Sequence, residues 1–179
     1  MGKPIGPGPL NTLYMVVETH YANYHLEEGA SDSGSGFVLT VTKNLRPVDI
    51  GMLTVGKHVR SLSLPPGGLV SSVNECGESC TRRWGVIPKT GLTITSTLHH
   101  MHKRGVALKI KHVRNGKEMP PLPSVDYFDF NFQTYLFAPP TQEKIFAGDR
   151  LIANCTYDTR TDTVPVPGGI HLCDSLILL

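Results

Sequence analysis

No apolar run in this sequence approaches the roughly 20 residues that a membrane-spanning helix requires, so no membrane span is expected. Charge is scarce and nearly balanced: 18% of residues are charged, and the formal net charge is +2 with histidine neutral. A nucleic-acid partner, which calls for a strongly basic face, has no support from that balance. Also missing are a helical period, an internal repeat and a linker. The opening residues, Met1 to Pro9, are rich in Gly and Pro and lack the apolar centre of a signal peptide. Cysteine is limited to Cys76, Cys80, Cys155 and Cys173. Four cysteines permit two bridges in three connectivities, and a close Cys76/Cys80 pair followed by distant singles does not match a zinc site. Bridges imply an oxidising compartment and free thiols a reducing one; the residues alone leave both open.

What is present reads as β structure. A chain of 179 residues suits one domain with a substantial core. Hydrophobic residues make up 40%, and the 18 Gly and 14 Pro fall as punctuation between short apolar runs. That pattern predicts an all-β fold, an antiparallel two-sheet jelly-roll-like sandwich in a single domain. Strands are expected over 12–21, 37–43, 48–55, 57–64, 69–74 and 91–102. Val106 to Arg114 alternates apolar and polar residues into Asn115-Gly116, a type I′ hairpin signal. Further strands are expected over 127–137, where Phe128, Phe130 and Phe132 form a stripe read as core, then over 150–157 and 170–179.

The stretch Leu98-His99-His100-Met101-His102 carries the chemistry. On a strand, residues two apart share a face, so His100 and His102 point one way and His99 and Met101 the other. Two neutral imidazoles on one face suit copper or zinc, while the plainer reading is three histidines that are solvated or hydrogen-bonded at a strand end. Of the remaining histidines, His25 and His58 near loops and His112 on an amphipathic strand are read as solvated or structural. Lys103, Arg104, Lys109, Lys111 and Arg114 form a modest basic cluster, read as a solvated face that is able to attract an anionic reductant.

Several segments then line up in order: Val17 to Asn23 (Val-Glu-Thr-His-Tyr-Ala-Asn), His100-Met101-His102 with Gly105, Val113-Arg114-Asn115-Gly116, Phe130 to Gln133, Gly148-Asp149, and Asn154 to Thr159. With these, the chain resembles the copper type II, ascorbate-dependent monooxygenases over nearly its whole length, in their C-terminal catalytic domain and closer to the dopamine beta-monooxygenase branch than to the peptidylglycine branch. The resemblance implies residues 1–22 as a strand at the family's domain junction and 23–179 as the copper-binding β-sandwich. It implies copper as cofactor, ascorbate as reductant, a small phenethylamine-like substrate hydroxylated at a C–H bond with dioxygen, and a secreted or secretory-vesicle setting. His100 and His102 match the two histidine ligands of the oxygen-activating copper, and His20 matches a ligand of the second, electron-storing copper. Cys155 with Cys173 matches the family's disulfide near the copper loop. Cys76 and Cys80 match a loop whose family partners lie beyond this chain, so they pair with each other or stay unpaired.

The sequence also departs from the family. The methionine ligand precedes a cysteine in the family, whereas here the interval from Gly168-Gly169 to Cys173 is short and Leu172, with no donor atom, precedes the cysteine. His171 is the substitute if the shortened loop twists. The domain that supplies the other histidines of the second copper is not in this chain, leaving His20 without its family partners. Leu98 stands where the peptidylglycine branch has an arginine, and Asp174 and Leu176 replace polar partners after the cysteine, so peptide amidation is not expected. The Asn154-Cys155-Thr156 sequon lies inside an expected strand and is set aside. Two functions follow: a copper monooxygenase domain, or a non-catalytic β-sandwich copper-binding or interaction module derived from one.

Overall fold

The computed structural model describes residues 2–7, 13–17, 19, 21, 23, 25–57, 63–85, 87–167 and 173–178, with Lys57 and 173–178 described as backbone. The chain divides into two compact units, Met1–Ile50 and Gly51–Leu179. In the first, Gly2 bonds Val48 and Ile50 through its backbone, at 3.0 and 2.9 Å. The strands expected over 12–21 and 37–43 are not formed among the described residues, and Val38 and Val41 stand exposed. β-branched residues favour strands only where a partner edge and a face to cover exist, and among the described residues no strand pairs with these segments.

The second unit holds all the described strands: β1 (Met52–Lys57), β2 (Leu69–Cys76), β3 (Ser96–Met101), β4 (Gly105–Arg114), β5 (Lys117–Glu118), β6 (Tyr135–Phe137), β7 (Arg150–Asp158) and β8 (Cys173–Leu178). They form two antiparallel four-stranded sheets, ordered β1-β8-β3-β6 and β2-β7-β4-β5. Every connection except β4 to β5 passes from one sheet to the other. A shared apolar core lies between them, with Val55 and Met101 from the first sheet and Leu108, Ile110, Leu151 and Tyr157 from the second. The fold is therefore all-β, an antiparallel two-sheet sandwich. Alternation explains the layering: Leu151, Ala153, Cys155 and Tyr157 of β7 are buried, each separated by a half-exposed residue.

Three further elements differ from expectation. A short helix, α1 (Glu78–Arg83), occupies the cysteine loop. It has Glu78 in its first turn and Arg82 and Arg83 in its last, which suits the helix dipole. The Cys76–Cys80 disulfide ties it to the end of β2, with Cα atoms 5.3 Å apart. The Thr81 hydroxyl donates to the Asp149 carbonyl at 2.8 Å and accepts the Gly148 N–H at 3.0 Å. Where strands over 48–55 and 57–64 were expected, one strand covers 52–57, and Leu64 makes only an isolated bridge to Val166. The aromatic run 127–137 is a strand only at Tyr135–Phe137. The Asp129 side chain captures the Asn131 N–H at 2.8 Å, and the Phe132 N–H reaches the Asp129 carbonyl at 3.0 Å, so a turn replaces the strand. Phe128 packs against the core, but Phe132 is 73% exposed, so the stripe is not uniformly core.

Candidate metal centre

Strand β3 places the histidines. Thr97, His99 and Met101 face inward and are buried, while Leu98 and His100 lie on the half-exposed side. Beyond the strand end, the Gly105 N–H bonds the His102 carbonyl at 2.8 Å, closing a tight turn into β4. A Cβ at Gly105 would sit 2.5 Å from the Met101 Cβ, so this turn has room only for glycine. The result brings His100 and His102 together, with ring centroids 5.1 Å apart and planes at 85°. Two imidazoles sharing one ion through metal–nitrogen bonds of about 2 Å need rings this close without stacking.

The supporting shell comes from the segment that crosses between the sheets. Val125 and Phe128 are bonded to the backbone of β4, at Leu108 and Val106, and Tyr135–Phe137 pairs with β3. In between, Gln133 Oε1 lies 2.6 Å from His100 Nδ1, and Gln133 Nε2 donates to the Phe130 carbonyl at 2.9 Å. An amide oxygen only accepts, so His100 carries its proton on Nδ1 and presents the Nε2 lone pair. The Phe130 ring meets His102 edge-on at 6.3 Å. A cavity of about 200 Å³ next to this segment is lined by Tyr127, Phe128, Asp129, Phe132, Gln133 and His99, among others.

His99 is set apart from the pair. Its Nε2 donates to the Pro123 carbonyl at 2.8 Å, and burial depresses its pKa below 6.5 even though that bond opposes the shift. A buried, neutral histidine bonded this way is structural. Among the described residues, no cluster of three or more His, Cys, Asp or Glu side chains forms a further metal cage. His20, His58, His171 and Leu172 lie outside the described residues, as does the side chain of Cys173. His25 is exposed. Cys155 is disulfide-bonded.

His112, expected to be solvated or structural, is structural and deeply buried. The ring is fully buried, with Nε2 2.7 Å from Asp149 Oδ2, and Arg114 donates to both oxygens of the same carboxylate at 2.9 Å. No local signal joins residues 37 apart, so this network was not legible. The basic cluster is likewise changed in character. Arg104 pairs with Asp162, Lys109 with Asp126, Lys111 with Glu118 and Arg114 with Asp149, which compensates the charge that was expected to draw an anionic reductant.

The fold and site together define a two-sheet β-sandwich that carries an imidazole pair at a sheet end. Residues 48–176 match the model of the copper type II ascorbate-dependent monooxygenase family's C-terminal domain. The chain belongs to that family, whose members depend on copper and on ascorbate. It is 32% identical over 179 residues to MOXD1 homolog 1 of Drosophila melanogaster, covering 99% of this chain and 25% of that protein. It is 33% identical over 177 residues to the DBH-like monooxygenase protein 1 of Homo sapiens, covering 95% of this chain and 28% of that one. Against the human dopamine beta-hydroxylase it is 27% identical over 171 residues, covering 94% and 27%. The chain thus spans about a quarter of the length of these relatives. Among the described residues, no helix is long and apolar enough to cross a membrane.

Proposed function

We propose that this chain is the copper-holding domain of a monooxygenase that hydroxylates a C–H bond of a small, phenethylamine-like substrate with dioxygen and ascorbate. His100 and His102 are the ligands. The observation that carries the reading is the 5.1 Å approach of the two rings together with the engaged Nδ1 of His100, which leaves Nε2 to the metal. Copper held by imidazoles supplies one-electron redox chemistry and a site for dioxygen. A phenethylamine-like substrate is supported by the family resemblance; the cavity beside this segment is lined by His99 and Gln133, among others, and by neither ligand.

By the same resemblance, His20 belongs to the second copper, His171 is the substitute third ligand, and Cys155 bonds Cys173. Residues 1–22 form the family's domain junction and 23–179 the sandwich. The Cys76–Cys80 disulfide supports an oxidising setting such as a secretory lumen. A second reading, a non-catalytic copper-binding or interaction module, is favoured by one feature: Leu172, at the family's methionine position, has no donor atom.

The test is copper stoichiometry and affinity of the purified chain under reducing conditions, beside a His100→Ala/His102→Ala double variant. One tightly bound copper that the variant loses establishes the site and makes turnover assays with phenethylamines decisive between the two readings. No binding, or binding unchanged in the variant, would sink the monooxygenase reading and leave the interaction module.

A further inference from the structure

We propose that Gln133 is the positioning residue of the histidine pair: it decides which nitrogen His100 offers to the metal. This rests on the assignment of His100 and His102 as ligands. Free imidazole populates two tautomers, and only the one protonated on Nδ1 has its lone pair on Nε2. Gln133 selects that tautomer with a 2.6 Å contact from Oε1 to Nδ1. The amide is itself oriented, because its Nε2 donates to the Phe130 carbonyl at 2.9 Å. Reversing the amide would place NH2 against the Nδ1 proton and oxygen against the Phe130 carbonyl, losing both bonds.

Residue 130 completes the arrangement. Its carbonyl anchors Gln133, which holds His100, while its ring edge meets His102 at 6.3 Å. The 129–132 turn is fixed by the Asp129 bonds to Asn131 and Phe132, so both histidines are ordered by one short segment. By contrast, His99, next in sequence, bonds through Nε2 to Pro123 and carries its proton on the opposite nitrogen. Adjacent histidines on one strand thus have opposite tautomers, each set by its own acceptor. An outer partner that fixes a ligand's tautomer typically accounts for 10–100-fold in metal affinity.

The experiment uses the full chain. Imidazole nitrogen shifts of His100, recorded by NMR on the metal-free protein, are compared among wild type, Gln133→Leu and Gln133→Glu, alongside Cu(I) affinity by chelator competition. Wild type should show the Nδ1–H tautomer. Gln133→Leu, which has no acceptor, should shift His100 toward Nε2–H and weaken Cu(I) by about 10–100-fold. Gln133→Glu, which keeps an acceptor, should retain the tautomer and bind more tightly than the leucine variant. A wild-type His100 protonated on Nε2, or a folded leucine variant with unchanged tautomer and affinity, overturns the inference; the wild-type spectrum decides it even if a variant does not fold. Absence of copper binding with the Nδ1–H tautomer fixed in wild type and lost in the leucine variant would instead sink the ligand assignment while leaving the tautomer selection intact.

Discussion

Asp149 is buried yet faces two bases, Arg114 through both oxygens and His112 through one, and it also accepts the Phe146 N–H at 2.8 Å. Burial pushes its pKa up, but the bonds from Arg114, Phe146 and His112 outweigh that and hold it below 3.8. A carboxyl depressed on folding stabilises the protein fully above its unfolded value, and the contribution is lost as pH falls through the folded one. Asp149→Asn should therefore cost about 3–5 kcal/mol near neutrality, as removing one member of a buried ion pair does. The gap to wild type should narrow as pH drops below 3.8. Urea denaturation of both proteins near pH 7 and near pH 3 checks this; a gap of equal size at both would show that packing, not charge, is what Asp149 supplies. His112 shows why such a site escapes sequence reading: on an amphipathic strand a histidine reads as solvated or structural, and the acceptor that permits its burial lies 37 residues away.

Elements were legible wherever local chemistry and tertiary context agreed. The β4–β5 hairpin is an example: Asn115 and Gly116 adopt φ of 50° and 77°, the two positive values that a type I′ turn demands. Strand β7 likewise follows from its alternation. The aromatic run did not, because the Asp129 turn intervenes and the chain is spent on crossing between sheets. That crossing is what delivers Gln133 to His100, a contact between residues 33 apart. Helix α1 escaped for a different reason. Six residues are too few to display a period, and isolated helices of that length do not persist without external ties. The disulfide is one such tie. Closing so short a loop restricts the unfolded chain modestly, so Cys76→Ala/Cys80→Ala should destabilise by about 2 kcal/mol. Chemical denaturation with and without the double change measures it, and a loss near zero would mean that Thr81 and its bonds to residues 148 and 149 hold the helix unaided.

At the scale of the whole molecule, the question is how many electrons this chain can store. Adding one oxygen atom of dioxygen to a C–H bond and reducing the other to water consumes two electrons and two protons. The described residues gather a single imidazole pair, and the described part of Met1–Ile50 adds only His25, which is exposed. If the His100/His102 pair holds the one copper bound, that copper would store a single electron, and the second would have to come from a separate reductant molecule. The paired surface cations, Arg104 with Asp162 and Lys109 with Asp126 among them, give an ascorbate anion little long-range attraction. Hydroxylation by the isolated 179-residue chain should accordingly be slow, and its rate should rise linearly with ascorbate rather than saturate. Product formation followed at increasing ascorbate, with copper fixed at one per chain, makes the measurement. Saturation at low ascorbate would reveal a second electron store within the chain and would bring His20 forward as part of it.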